Sequence, residues 1–226
     1  MSYQWLLFDA DGTLFDFEKT AEEALHRTFQ DFGEDYDPAF FKLYRSIDKR
    51  LWEALEQGTL TRDRLHAQRF EELLARLGVE RDAKTIADQY LGHVGEGTHL
   101  IEGAADVVAF LAERARLALI TNGFAHVQRP RFARAPIARY FECIVISDEV
   151  GVAKPSPGIF DEAFRKMGSP DRENVLLIGD SLSADIRGGL DYGIDVCWFN
   201  PFACDAPANM KITYVIRELA ELCDMI

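Results

Sequence analysis

Short apolar runs that end abruptly in polar residues constrain this chain more than any other feature. Trp5-Leu6-Leu7-Phe8 is the first. Beyond residue 100 come Leu117-Ala118-Leu119-Ile120, Cys143-Ile144-Val145-Ile146, Val175-Leu176-Leu177-Ile178 and Val196-Cys197-Trp198-Phe199. Each is too short for a stable helix and too uniformly apolar for a strand with one wet face. Runs of this kind suit strands of a parallel sheet covered on both faces. Residues 104–114, 157–167 and 182–192 carry helical patterns between them, so strand and helix alternate. The expected fold is α/β, a Rossmann-like parallel sheet whose first strand is residues 3–8.

The stretch behind that first strand breaks the rhythm. Ala21, Ala24, Leu25, Thr28 and Phe29 recur at helical spacing, as do Phe40, Tyr44, Ile47, Leu51 and Leu55 behind Pro38, which suits a first helical position. Thr61 reads as an N-cap before Leu65, Phe70, Leu73, Leu74 and Leu77, and Gly78 as a stop. A further helix covers residues 83–91, and Gly95 and Gly97 mark a hinge-like segment. The expected organisation is a core of residues 1–15 and 96–226 with an all-helical insert at 16–95.

The 226 residues are 48% hydrophobic and 28% charged, as in a globular chain, with a formal charge of -13. So acidic a chain is a poor binder of nucleic-acid polymers or anionic membranes, because phosphate backbones need Lys and Arg. A small phosphorylated substrate held by a few local cations remains compatible. None of the four cysteines forms a CxxC pair, which fits reduced thiols in the cytoplasm. No basic segment precedes Trp5–Phe8 and no apolar stretch reaches membrane-spanning length. The expectation is a soluble cytoplasmic protein, monomer or homodimer.

The strand candidates lead into chemically capable residues. The first is followed by Asp9 and Asp11, the second by Thr121-Asn122-Gly123, and the fourth by Gly179-Asp180-Ser181 with Asp185 beyond. Lys154-Pro155 lies in the connection after the third. In an open parallel sheet the ligand site lies beyond the carboxyl ends of the strands. Any one of these segments could be an ordinary turn or helix cap. Together they match phosphoryl transfer. Lys154, Thr121 and the amides around Asn122 and Gly123 can bind phosphate oxygens. One carboxylate can attack phosphorus, a second can move protons, and the rest can hold Mg²⁺. Asp9, the first polar residue off its strand, is the candidate nucleophile. Asp11, two residues on and on the same side, is the candidate acid/base.

Asp9-Ala10-Asp11-Gly12-Thr13, Thr121-Asn122-Gly123, Lys154-Pro155 and Gly179-Asp180-Ser181-Leu182-Ser183-Ala184-Asp185 resemble the four motifs of the haloacid dehalogenase superfamily, in the same order. The resemblance implies that Asp9 accepts the phosphoryl group and that Asp11 is the general acid/base. It implies Mg²⁺ held by Asp9, the Asp11 carbonyl and Asp180, with Asp185 behind it. Thr121, Asn122 and Lys154 would bind phosphate, and the insert would be a cap that opens and closes, hinged near 15–17 and 95–98. Phe15-Asp16-Phe17, Leu51-Trp52, Arg69-Phe70, Gly123-Phe124, Gln128, Val150 to Pro155 and Trp198-Phe199-Asn200-Pro201 are similar to the noncanonical pyrimidine 5'-nucleotidase branch. That narrower likeness implies a pyrimidine nucleotide substrate, with Phe15, Phe17, Trp52 and Arg69 as candidate specificity residues. Aromatics at helical spacing are more often core, and Arg69 could simply bridge an exposed carboxylate. Arg129-Pro130-Arg131 departs from the pattern, since Pro130 would disturb the helix expected there. Competing readings are a phosphatase acting on a sugar phosphate or phosphoglycolate, a phosphomutase, and, from another class, a receiver-like signalling module. A dehalogenase fits less well because Asp11 is present.

Overall fold

The computed structural model describes residues 3–226. The chain forms two compact units: the segment up to Phe17 joined with Thr98–Ile226, and Glu18–Gly97.

The first unit is built on a six-stranded parallel sheet of β1 (Trp5–Phe8), β2 (Arg116–Thr121), β3 (Phe141–Ile146), β4 (Val175–Gly179), β5 (Asp195–Phe199) and β6 (Tyr214–Ile216), in the order β3-β2-β1-β4-β5-β6. The first-half strands lie to one side of β1 and the second-half strands to the other. This is the doubly wound order, and its ligand crevice opens where the winding reverses, beyond β1 and β4. Side chains alternate across the sheet. Leu6, Phe8, Leu119, Leu176 and Ile178 enter one core, and Trp5, Leu7, Ile120, Val175 and Leu177 the other. Both faces are therefore covered, which is why the strands read as unbroken apolar runs. β6 was not among the expected strands. It has three residues with Val215 exposed at the sheet edge, and the β-branched and aromatic run Ile212-Thr213-Tyr214-Val215-Ile216 marks it in the sequence.

The second unit consists of helices: α1 (Phe17–Asp31, which begins in the first unit), α2 (Pro38–Glu56), α3 (Arg62–Leu77) and α4 (Ala83–Glu96), with α3 packed against both α2 and α4. Local chemistry sets their ends. Asp37, Thr61 and Asp82 accept from the amides of Ala39, Arg64 and Thr85. Gly78 terminates α3 in the left-handed conformation. Gly95, expected in a hinge, lies inside α4.

The remaining helices flank the sheet: α5 (Ala104–Ala112), α6 (Ala125–Arg134), α7 (Ser147–Val150), α8 (Pro157–Met167), α9 (Arg187–Tyr192) and α10 (Leu222–Met225). The disturbance expected at Pro130 does not occur, because α6 runs through it to Arg134. Pro130 is the sixth residue of this helix, so its missing N–H removes one early bond from the ladder.

Candidate active site

Asp9 leaves β1 while its backbone N–H still donates to Ile178 O of β4 (2.8 Å). Sheet pairing thus fixes where its side chain begins. Asp9 is buried, and its Oδ1 accepts from Lys154 Nζ at 2.5 Å. The same ammonium donates to Asp185 Oδ1 (2.6 Å) and Ile120 O (3.1 Å), which engages all three of its protons. Thr13 Oγ1 lies 3.3 Å from Asp9 Oδ2 and 3.2 Å from Asp180 Oδ1, bridging strand ends β1 and β4. Gly12 has φ +89°, and a Cβ there would fall 2.5 Å from Asp180 Oδ2. Only glycine lets the loop pass this close.

Carboxylate oxygens of Asp9, Asp180 and Asp185 all lie within 4.8 Å of one another. Burial is the largest influence pushing the Asp9 carboxyl well above its ordinary range, with Lys154 opposing. Burial, then Asp185, pushes Asp180 up to about 7. Burial disfavours the Lys154 ammonium, yet Asp185 and Asp9 outweigh it and hold its pKa above the ordinary lysine value. Three carboxyl groups gather near a single ammonium, so they outnumber the local cation. The donor set is all hard oxygen, and a divalent cation fits both its chemistry and its charge.

The expected phosphate-binding residues lie at the end of β2 and in the loop that carries Lys154. Thr121 is buried at the end of β2. The Asn122 side chain is committed to main chain: Oδ1 accepts from Lys154 N (2.8 Å) and Nδ2 donates to Lys154 O (3.0 Å). Asn122 thereby places Lys154, using one of its two Nδ2 protons and one Oδ1 lone pair. The Gly123 N–H donates to Ser147 Oγ (3.1 Å), so it too is engaged. Asp185, expected behind the metal, contacts Lys154 directly and also accepts from Ser181 N (3.0 Å).

Two of the expected specificity residues are buried. Phe15 is fully buried, edge-on to Phe132 with ring centroids 5.1 Å apart, beneath the Arg131 guanidinium. Arg69 is 2% exposed inside the helical unit, 3.2 Å from Asp48 Oδ1 and over the Tyr90 and Phe70 rings. It meets a carboxylate, but a buried one. Phe17 and Trp52 are half-buried, Phe17 at the start of α1 and Trp52 on α2.

Asp11 is half-buried, and both its oxygens are engaged from α6. Arg131 Nη1 donates to Oδ1, and Gln128 Nε2 to Oδ2 at 2.7 Å. Arg131 was not foreseen as a site residue. A signal existed: Gln128 and Arg131 stand three apart on a helix, hence on one face.

The family model for haloacid dehalogenase-like hydrolases matches residues 3–193. The chain is 35% identical over 222 residues to pyrimidine 5'-nucleotidase YjjG of Escherichia coli, covering 98% of this chain and 97% of that protein. It is 32% identical over 225 residues to pyrimidine 5'-nucleotidase PynA of Streptococcus pneumoniae, covering 99% and 95%. The solved structure of the HAD-hydrolase YfnB from Bacillus subtilis, bound to magnesium, superposes with a TM-score of 0.94 at 35% identity, over 100% of this chain and 99% of that one. The doubly wound sheet, the four strand-end segments and the full-length similarity agree: the chain is an enzyme of the haloacid dehalogenase-like hydrolase family.

Proposed function

We propose that this enzyme hydrolyses phosphoric monoesters through an aspartyl-phosphate on Asp9, with Mg²⁺, and that its substrates are pyrimidine nucleoside 5'-monophosphates. The observation that carries the chemistry is Asp9 itself: buried at the end of the central strand, 2.5 Å from Lys154 Nζ, and grouped with Asp180 and Asp185. The substrate class rests on full-length similarity to YjjG and PynA.

An Asp9 carboxylate oxygen attacks phosphorus, and the bond from phosphorus to the leaving oxygen breaks. Asp11 gives that oxygen its proton, then takes a proton from the water that attacks the aspartyl-phosphate. Inorganic phosphate leaves and the Asp9 carboxylate is restored. Lys154 pairs with both Asp9 and Asp185, and Asn122 fixes the Lys154 backbone so that the ammonium stays in place. Thr13 orients Asp9 and Asp180 toward one point. The Asp9 and Asp180 carboxylates with the Asp11 carbonyl would hold Mg²⁺, which when bound supplies positive charge to the phosphoryl oxygens.

The test is phosphate release with Mg²⁺ from a panel of nucleoside monophosphates and sugar phosphates. UMP and dTMP are expected to be turned over fastest, Asp9→Asn to abolish turnover, and EDTA to stop it. Equal rates on sugar phosphates would remove the nucleotidase assignment, and EDTA-insensitive hydrolysis would remove the metal.

A further inference from the structure

We propose that Arg131 and Gln128 form a clamp that positions Asp11 for proton transfer. The proposal rests on the reading of Asp11 as the group that moves protons. Asp11 sits in the loop after β1, part-exposed, and a carboxylate on a loop turns freely about its χ angles unless something holds it. Here both oxygens are held. Arg131, 1% exposed by side chain, pairs with Oδ1, and Gln128, 3% exposed, donates to Oδ2 at 2.7 Å. Both arms come from one rigid helix. The amide orientation of Gln128 follows from this contact, since its opposite flip would set oxygen against carboxylate.

The clamp is itself braced. The Arg131 guanidinium carbon lies 4.5 Å from the Phe15 ring centroid and 6.0 Å from that of Phe17. Phe15 is pinned by Phe132, the residue after Arg131. The Asp11 loop closes on the same point through a bridge between Asp11 and Phe15. Gln128 Nε2 also reaches Thr121 Oγ1 (3.4 Å), tying the clamp to the end of β2. Burying a guanidinium is unfavourable, and an apolar side chain would fill the space over Phe15 without that penalty. What the arginine adds is a fixed, charge-assisted hold on Asp11. A proton donor or acceptor must lie within hydrogen-bond reach of the reacting oxygen, so a freely turning Asp11 spends most of its time out of position. Arg131 and Gln128 touch no reacting atom; they act through Asp11.

The experiment is a double-mutant cycle on the full-length enzyme with saturating Mg²⁺ and UMP. Arg131→Met, Arg131→Lys and Gln128→Ala are made alone and in an Asp11→Asn background, with kcat, KM and melting temperature measured for each. Removing a clamp arm is expected to lower kcat about tenfold while KM moves less than about twofold, a fraction of what acid–base catalysis contributes. Arg131→Lys, which keeps charge but not the fork, is expected to fall between wild type and Arg131→Met. In the Asp11→Asn background the same substitutions should cost nothing further, because the group they position is gone. A loss of equal size in that background would assign Arg131 and Gln128 a role independent of Asp11 and overturn the clamp alone. Wild-type kcat in both Arg131→Met and Gln128→Ala would overturn it too. If Arg131→Met fails to fold, Gln128→Ala decides. Full turnover by Asp11→Asn itself would overturn the reading of Asp11, and the clamp with it.

Discussion

Arg69→Met separates two uses of a buried arginine. The side chain is 2% exposed, and its Nη1 lies 3.2 Å from Asp48 Oδ1, itself 1% exposed. Nη1 also reaches Tyr44 Oη at 3.3 Å, and the guanidinium sits over Tyr90 at 5.4 Å and Phe70 at 5.7 Å. The pair thus ties α3 to α2 and α4. Removing one partner of a buried pair costs about 3–5 kcal/mol, mostly because the other charge stays buried. Asp48 keeps one cation, Arg45, whose Nη1 donates at 2.9 Å, so the low end applies and we expect about 3 kcal/mol. At about 2–4 °C per kcal/mol for a chain of this size, the melting temperature should fall by about 6–12 °C. Differential scanning calorimetry measures this directly. Replacing both partners, Arg69→Met with Asp48→Leu, should recover part of the loss, because no charge is then left unpaired. A melting temperature within about 1 °C of wild type, together with a KM increase confined to nucleotide substrates, would show that the arginine serves the substrate and that the packing argument is wrong.

Other perturbations test the core. Gly12→Ala forces a Cβ to 2.5 Å from Asp180 Oδ2 at φ +89°, a conformation that costs an L-residue about 1–2 kcal/mol; turnover should drop at least about tenfold, measured as phosphate release, with a small fall in melting temperature. Asn122→Ala removes both bonds to the Lys154 backbone, so a stability loss of about 2 kcal/mol by denaturant titration and a fall in kcat are expected. Thiol labelling should be selective and pH-dependent. Cys204 is exposed and should react first, whereas burial pushes Cys197 up to about 12. Because the thiolate is the reactive form, a raised pKa leaves about one Cys197 in ten thousand ionised at pH 8; quantitative labelling there in the native state, read by mass spectrometry, would contradict its burial.

Legibility in the sequence followed the range of the forces involved. Strands buried on both faces must be apolar throughout, so the runs beginning at Trp5, Leu117, Cys143, Val175 and Val196 announced themselves, and their polar ends followed the doubly wound order. Tyr214–Ile216 carries a readable signal as well, the β-branched and aromatic run from Ile212 to Ile216, but this short edge strand leads into none of the candidate site residues. Arg69 was visible as a charged residue next to an aromatic, but its partner Asp48 lies 21 positions away on another helix, and spacing says nothing about that pairing. Arg131 is the sharpest case. Beside Pro130 it read as part of a disturbed helix, since Pro130 lacks the N–H that the ladder needs. In the fold the helix continues, and its continuation puts Arg131 beside Gln128 on a carboxylate 120 and 117 residues earlier in the chain. Had Pro130 ended α6, the register that puts both side chains on Asp11 would be lost. The intact helix beyond Pro130 is therefore a condition of the geometry around Asp11.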